Sequence, residues 1–74
     1  MNDRVLIAYV DFNSQDKDGL VLCAAGSLLR NGARIQLRDH EGNWCEATKI
    51  RTLRGLARMK LHVETWVDSS DADR

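Results

Sequence analysis

Two tryptophans and four basic side chains carry most of the chemistry this chain can offer. Trp44 and Trp66 bring large amphipathic rings, and Arg34, Arg38, Arg58 and Lys60 bring positive charge. On one common surface the cations would track phosphates while the indoles stacked on bases. Each stacked base would then be worth ~1–3 kcal/mol. The same six residues suit a protein contact, because exposed tryptophan and arginine are common interface anchors. Against both stands the plainer fate of an indole, packing at the end of a small core. Packing ranks first, a protein or self contact second, and RNA or single-stranded DNA third.

Catalysis finds little to work with. Nucleophilic chemistry needs a nucleophile, a base and an orienting group held together. Cys45 with His62 is the one pairing worth naming, and strand alternation sets Cys45 inward and His62 outward. His40 sits between Asp39 and Glu41, and adjacent residues seldom converge on one zinc ion. The polar stretch Asn13–Gly19 contains oxygen donors, but from Asp11 the sixth position is Asp16 and the twelfth is Leu22. A calcium-binding EF-hand loop requires glycine and glutamate there. No phosphate-cradling glycine loop, GxSxG or HExxH is present. The expectation is a non-enzyme with no cofactor and no metal.

The elements that must hold these residues are strands. Ala33, Ile35 and Leu37 alternate with Arg34, Gln36 and Arg38. Ala57, Met59, Leu61 and Val63 alternate with Arg58, Lys60, His62 and Glu64. A period of two puts one face on a core and the other in water. On that pattern Trp44, Glu46 and Thr48 face out with Trp66, while Cys45 and Ala47 face in. The alternation slips beyond Lys49, where a β-bulge would restore it. The apolar run Val5–Val10 reads as a central strand or as a strand with one face packed against another subunit, and it could form a hairpin with Leu20–Ala25 across the turn Asp18-Gly19. Ser27–Arg30 suggests one helical turn capped by Ser27, and Asn31-Gly32 another turn.

Residues 47–62 also approximate a helical stripe, with Arg51, Arg54 and Arg58 along one side. Gly55 opposes that by ~1 kcal/mol, and the clean alternation from Ala57 to Val63 opposes it further. The expected fold is therefore all-β. It is a five-stranded antiparallel barrel or a strongly bent sheet.

The run from Gly32 to Ala47, GARIQLRDHEGNWCEA, resembles the central hairpin of small SH3-like barrels. There a glycine opens a strand and an acidic-glycine turn follows. The resemblance covers less than half of the chain. It implies a binding module for RNA, peptides or larger protein assemblies, by analogy of fold.

Size and charge set the remaining bounds. The chain has 74 residues, and one this short buries only ~60% of its unfolded surface. A small core invites a partner subunit to cover part of it. Net charge is zero, but residues 1–29 carry −2, residues 30–67 carry +4 and residues 68–74 carry −2. A basic middle points toward an anionic partner; the overall balance points instead to ordinary solvated strand faces. Cys23 and Cys45 fall at inward positions and read as buried thiols, with a single disulfide between neighbouring strands as the lesser alternative. No secretory leader or membrane-spanning run is evident, which suggests a cytoplasmic protein. Residues 1–67 are expected to form the domain and residues 68–74 a disordered acidic tail.

Overall fold

The computed structural model describes residues 6–69. Five strands form one sheet: β1 (Ile7–Tyr9), β2 (Val21–Cys23), β3 (Arg34–Arg38), β4 (Trp44–Leu53) and β5 (Leu56–Val67). Their spatial order is β1-β3-β4-β5-β2. The chain is thus all-β, and its sheet stays open and bent rather than closing into a barrel. The helical alternative for residues 47–62 does not form, because that segment is the β4–β5 hairpin.

Local chemistry explains the hairpins. β3 and β4 pair in antiparallel register from Arg34 with Thr48 to Arg38 with Trp44. Their turn is organised by Asp39, whose Oδ1 accepts the N–H groups of Glu41 and Asn43 at 3.0 and 2.9 Å. Gly42 there has φ 88°, a left-handed conformation that glycine takes without a Cβ clash. β4 and β5 are joined by Arg54-Gly55, both with positive φ. That two-residue turn matches the twist of the flanking strands.

Two irregularities interrupt the β4–β5 ladder. One falls between Lys49 and Arg51, as the slipped alternation anticipates; the other falls between Trp44 and Glu46. The second consumes several residues of β5. Thr65 Oγ1 fills the gap, accepting the Glu46 N–H at 2.9 Å and donating to the His62 carbonyl at 2.6 Å. Alternation therefore fails after His62, and Val63 is 71% exposed rather than inward.

Four further expectations are corrected. β1 and β2 do not form a hairpin. β1 pairs in parallel with β3, and β2 pairs antiparallel with β5. β1 is thus an edge strand, not a central one, and the sheet is mixed rather than antiparallel throughout. The helical turn spans Ala25–Leu28, a 3₁₀ turn that begins earlier than expected and has no side-chain cap. Gly26 sits where a Cβ would lie 3.1 Å from that of Ala57, so the turn presses closely on β5.

The core comprises Ala8, Val10, Val21, Cys23, Ile35, Leu37, Ala47, Ala57 and Met59, with Phe12, Leu29 and Leu61 packed against it. Cys23 and Cys45 are buried, unpaired thiols. Ser69 ties the end of the described chain to the β3–β4 turn, its N–H donating to Asn43 Oδ1 at 2.8 Å. The rest of the expected acidic tail, residues 70–74, lies outside the described residues, as do residues 1–5.

Candidate interaction surface

Register assigns each candidate side chain to a face, because directly paired residues project to the same side. On the outer face, Tyr9, Arg38, Trp44 and Val67 form one cross-strand row. Ile7, Gln36, Glu46 and His62 form the next, and Arg34, Thr48 and Lys60 a third. Trp44, Arg34, Arg38 and Lys60 are brought together as expected.

The other two candidates are not. Trp44 pairs with Val67, so the adjacent Trp66 turns to the opposite side. There it meets the Phe12 ring edge-on, with centroids 4.9 Å apart, and Phe12 packs on the core. The two indoles therefore occupy opposite faces, because the irregularity after Trp44 changes the parity of β5. Arg58 lies on the outer side but is buried. The loop between β1 and β2 folds over it, placing Asp16 Oδ2 3.4 Å from its Nε. Its Nη1 donates to the carbonyls of Leu53 and Leu56.

Charge on the open face is further reduced by an ion pair between Arg34 Nε and Glu46 Oε1, 2.7 Å apart. Among the described residues Arg38 and Lys60 make no ion pair. His62 uses its Nε2 with Thr48 Oγ1 at 2.7 Å. The Cys45 thiol lies on the inner side, against the His62 carbonyl at 3.2 Å, so imidazole and thiol stay apart.

β1 itself offers a surface, in line with the sequence reading that one face of Val5–Val10 could pack against another subunit, although the sequence did not place the strand at the sheet edge. Tyr9 is 67% exposed and Ile7 46% exposed, side by side on the outer face. Leu6 accepts from the Gln36 N–H, and Val10 donates to the Arg38 carbonyl. In a parallel ladder the alternate residues turn their amides the other way. Ile7 and Tyr9 therefore direct their N–H and C=O groups outward, where no strand among the described residues pairs with them. The available signal was an apolar run with hydrophobic residues at both parities.

One open cleft of about 260 Å³ lies near the β3–β4 turn, lined by Val10, Asp11, Phe12, Asn13, Asp39, His40 and Glu41. Of its carboxylates, Asp11 and Asp39 accept backbone N–H groups of their own turns. Asp39 is held below the usual carboxylate range chiefly by the Asn43 side-chain amide, then by backbone N–H groups of its turn. Asp16, in the loop over Arg58, is lowered chiefly by the Leu20 N–H, with help from Asp18, Arg58 and Arg51. No group of three or more His, Cys, Asp or Glu among the described residues is arranged to hold a metal ion.

These two aspartates give the fold an acid limit. A carboxyl whose native pKa is depressed adds stability above its unfolded value, about 3.9. That stability is lost as pH falls through the lower native value. The urea midpoint should therefore hold from pH 7 to about 5 and drop as the pH falls below about 4. Asp39→Asn should start lower at neutral pH and lose less on acidification. An equal acid loss in Asp39→Asn and the parent chain would refute this assignment.

No family model, curated protein or solved structure matches the chain. Among the described residues no helix is long and apolar enough to cross a membrane.

Proposed function

We propose that this chain is a small non-enzymatic binding module that engages protein through the outer edge of β1. The observation that carries the reading is an edge strand with outward-facing amides beside the exposed Ile7 and Tyr9. Unpaired edge amides are a template for an added strand, and natural sheets commonly blunt them with charge, proline or a bulge. β1 has no charge, proline or bulge between Ile7 and Tyr9, and its three-residue length is the one such device it carries. An incoming strand would gain its affinity from backbone hydrogen bonds and its selectivity from side chains meeting Ile7 and Tyr9.

The remainder of the outer face supports the same reading. Arg38 and Trp44 continue the Tyr9 row inward across the sheet, so a partner on β1 reaches an arginine and an indole. Of the original six, burial of Arg58 and the turn of Trp66 leave Arg34, Arg38, Lys60 and Trp44 on the open face, with Arg34 in an ion pair with Glu46.

The test is fluorescence anisotropy with labelled extended heptapeptides, uncharged and rich in Val and Thr. Saturable binding to the full chain is expected, and Tyr9→Lys should weaken it at least about tenfold by placing a charge at the edge. If no peptide binds and the chain does not self-associate, the β1 reading fails.

A further inference from the structure

We infer that the partner of the β1 edge is a second copy of this chain, joined as a two-fold antiparallel β1–β1 pair centred on Ala8. This deepens the β1 reading and rests on it. The reasoning begins with which edges are open. The sheet has two edge strands, β1 and β2. The outer side of β2 is already occupied by its own loop. The Leu22 N–H donates to the Ser14 carbonyl at 3.0 Å, and the Leu20 carbonyl accepts from Asp16 at 2.9 Å. Gln15 forms a bridge with Val21. Head-to-tail pairing of β1 with β2 of another copy is therefore blocked, and with it that open chain of subunits. A self-complementary β1 contact closes on itself and leaves a dimer.

The register follows from the outward amides. A two-fold axis perpendicular to the sheet keeps the outer faces of both copies on the same side. Residues of equal parity must then lie opposite one another. Outward amides belong to Ile7 and Tyr9. Centring the axis on Ala8 sets Ile7 opposite Tyr9 of the second copy, and Tyr9 opposite its Ile7. Every outward amide of β1 then finds a partner. The axis also makes two aromatic–β-branched cross-strand pairs, a favourable combination. A shift of two residues in either direction loses both Ile7–Tyr9 pairings.

Charge does not oppose the contact. Ile7, Ala8 and Tyr9 are uncharged, and Arg38 and Gln36 are the next side chains inward on the outer face. The contact is small, since a three-residue strand contributes little area. It belongs at the low end of specific interfaces, and a dissociation constant of roughly 10–500 µM is expected.

Analytical ultracentrifugation of the full chain from about 10 µM to 1 mM tests the stoichiometry. A monomer–dimer equilibrium is expected, with Tyr9→Lys shifting it at least about tenfold toward monomer. Register is tested by cross-linking. Ile7→Cys and Tyr9→Cys proteins, both altered at exposed sites, are mixed and oxidised. Their α-carbons would lie about 5.5 Å apart across the pair, within the disulfide range of roughly 4.4–6.8 Å. Like residues would be offset by two positions, about 6.8 Å along the strand, and too far apart to bridge. The mixed disulfide should therefore dominate both like-with-like products.

A monomer at about 1 mM, a larger polymer series, or preferential like-with-like cross-linking would each overturn this dimer. A monomer that still binds heptapeptides would leave the β1 binding reading standing and remove only the self-pairing. A monomer that binds none would remove both.

Discussion

Lys49→Ala should destabilise the protein by about 2–3 kcal/mol, an effect set by the buried side chain and the two carbonyls it serves. Lys49 is only 3% exposed and continues the inward series Cys45, Ala47 along β4. Its stem crosses the end of the core, and its Nζ donates to the carbonyls of Ser27 (3.0 Å) and Leu29. Those carbonyls belong to the 3₁₀ turn and the residue after it. The ammonium therefore fastens that turn to the sheet. Alanine removes three methylenes, worth ~0.8 kcal/mol each, and leaves both carbonyls without their donor. Release of the ammonium from its buried position offsets part of the loss. Thermal unfolding should move down by roughly 10–20 °C in a domain of this size. Lys49→Met keeps most of the stem and should lose less than about half as much. Equal, small effects of the two substitutions in circular dichroism melts would show that Lys49 neither packs nor fastens the turn.

That prediction also marks where sequence patterning stops being informative. Parity alone places Lys49 inward, two residues after Ala47. The slip at Ile50 draws attention to the bulge instead, and nothing local names the carbonyls that receive the ammonium. The strands themselves were legible because Ile35, Leu37, Cys45, Ala47, Ala57 and Met59 bury one face and glycines with positive φ mark the turns at Gly19, Gly32, Gly42 and Gly55. Pairing was not legible. β1 chooses β3 rather than β2 through contacts far apart in sequence, and its apolar residues at both parities resemble a central strand. They reflect instead an exposed pair, Ile7 and Tyr9, beside a buried pair, Ala8 and Val10.

The candidate surface was legible to the same extent as its register. Arg34, Arg38, Trp44 and Lys60 lie before the irregular part of β5 or are independent of it, and their faces follow simple alternation. Trp66 lies beyond the Thr65 insertion. A threonine that satisfies two backbone groups of its own hairpin cannot be distinguished in sequence from one that merely occupies a strand. Arg58 fails for another reason. Alternation assigns a face, but the cover over that face comes from a loop some forty residues earlier in the chain.

Arg58→Ala should be the second severe substitution, costing about 2 kcal/mol. The guanidinium braces the turn end of the β4–β5 hairpin. Nη1 lies 3.4 Å from the Leu53 carbonyl and 3.2 Å from that of Leu56, on either side of the Arg54-Gly55 turn. Nε lies 3.4 Å from Asp16 Oδ2 without hydrogen-bond geometry. The Asp16 contact is therefore a charge pairing, and the figure above rests on the buried stem and the turn carbonyls alone. Arg58→Lys keeps the charge but loses the planar fork that reaches several acceptors together. It should recover only part of the loss. The acid response separates these contributions. Asp16 owes its lowered pKa first to the Leu20 N–H, and Arg58 contributes less. Arg58→Ala should consequently lower the urea midpoint at neutral pH while leaving most of the fall below about pH 4 in place. If the substitution instead abolished the acid dependence with little neutral-pH cost, the ion pair would be the main bond between loop and sheet. The carbonyl contacts at the hairpin end would then be incidental.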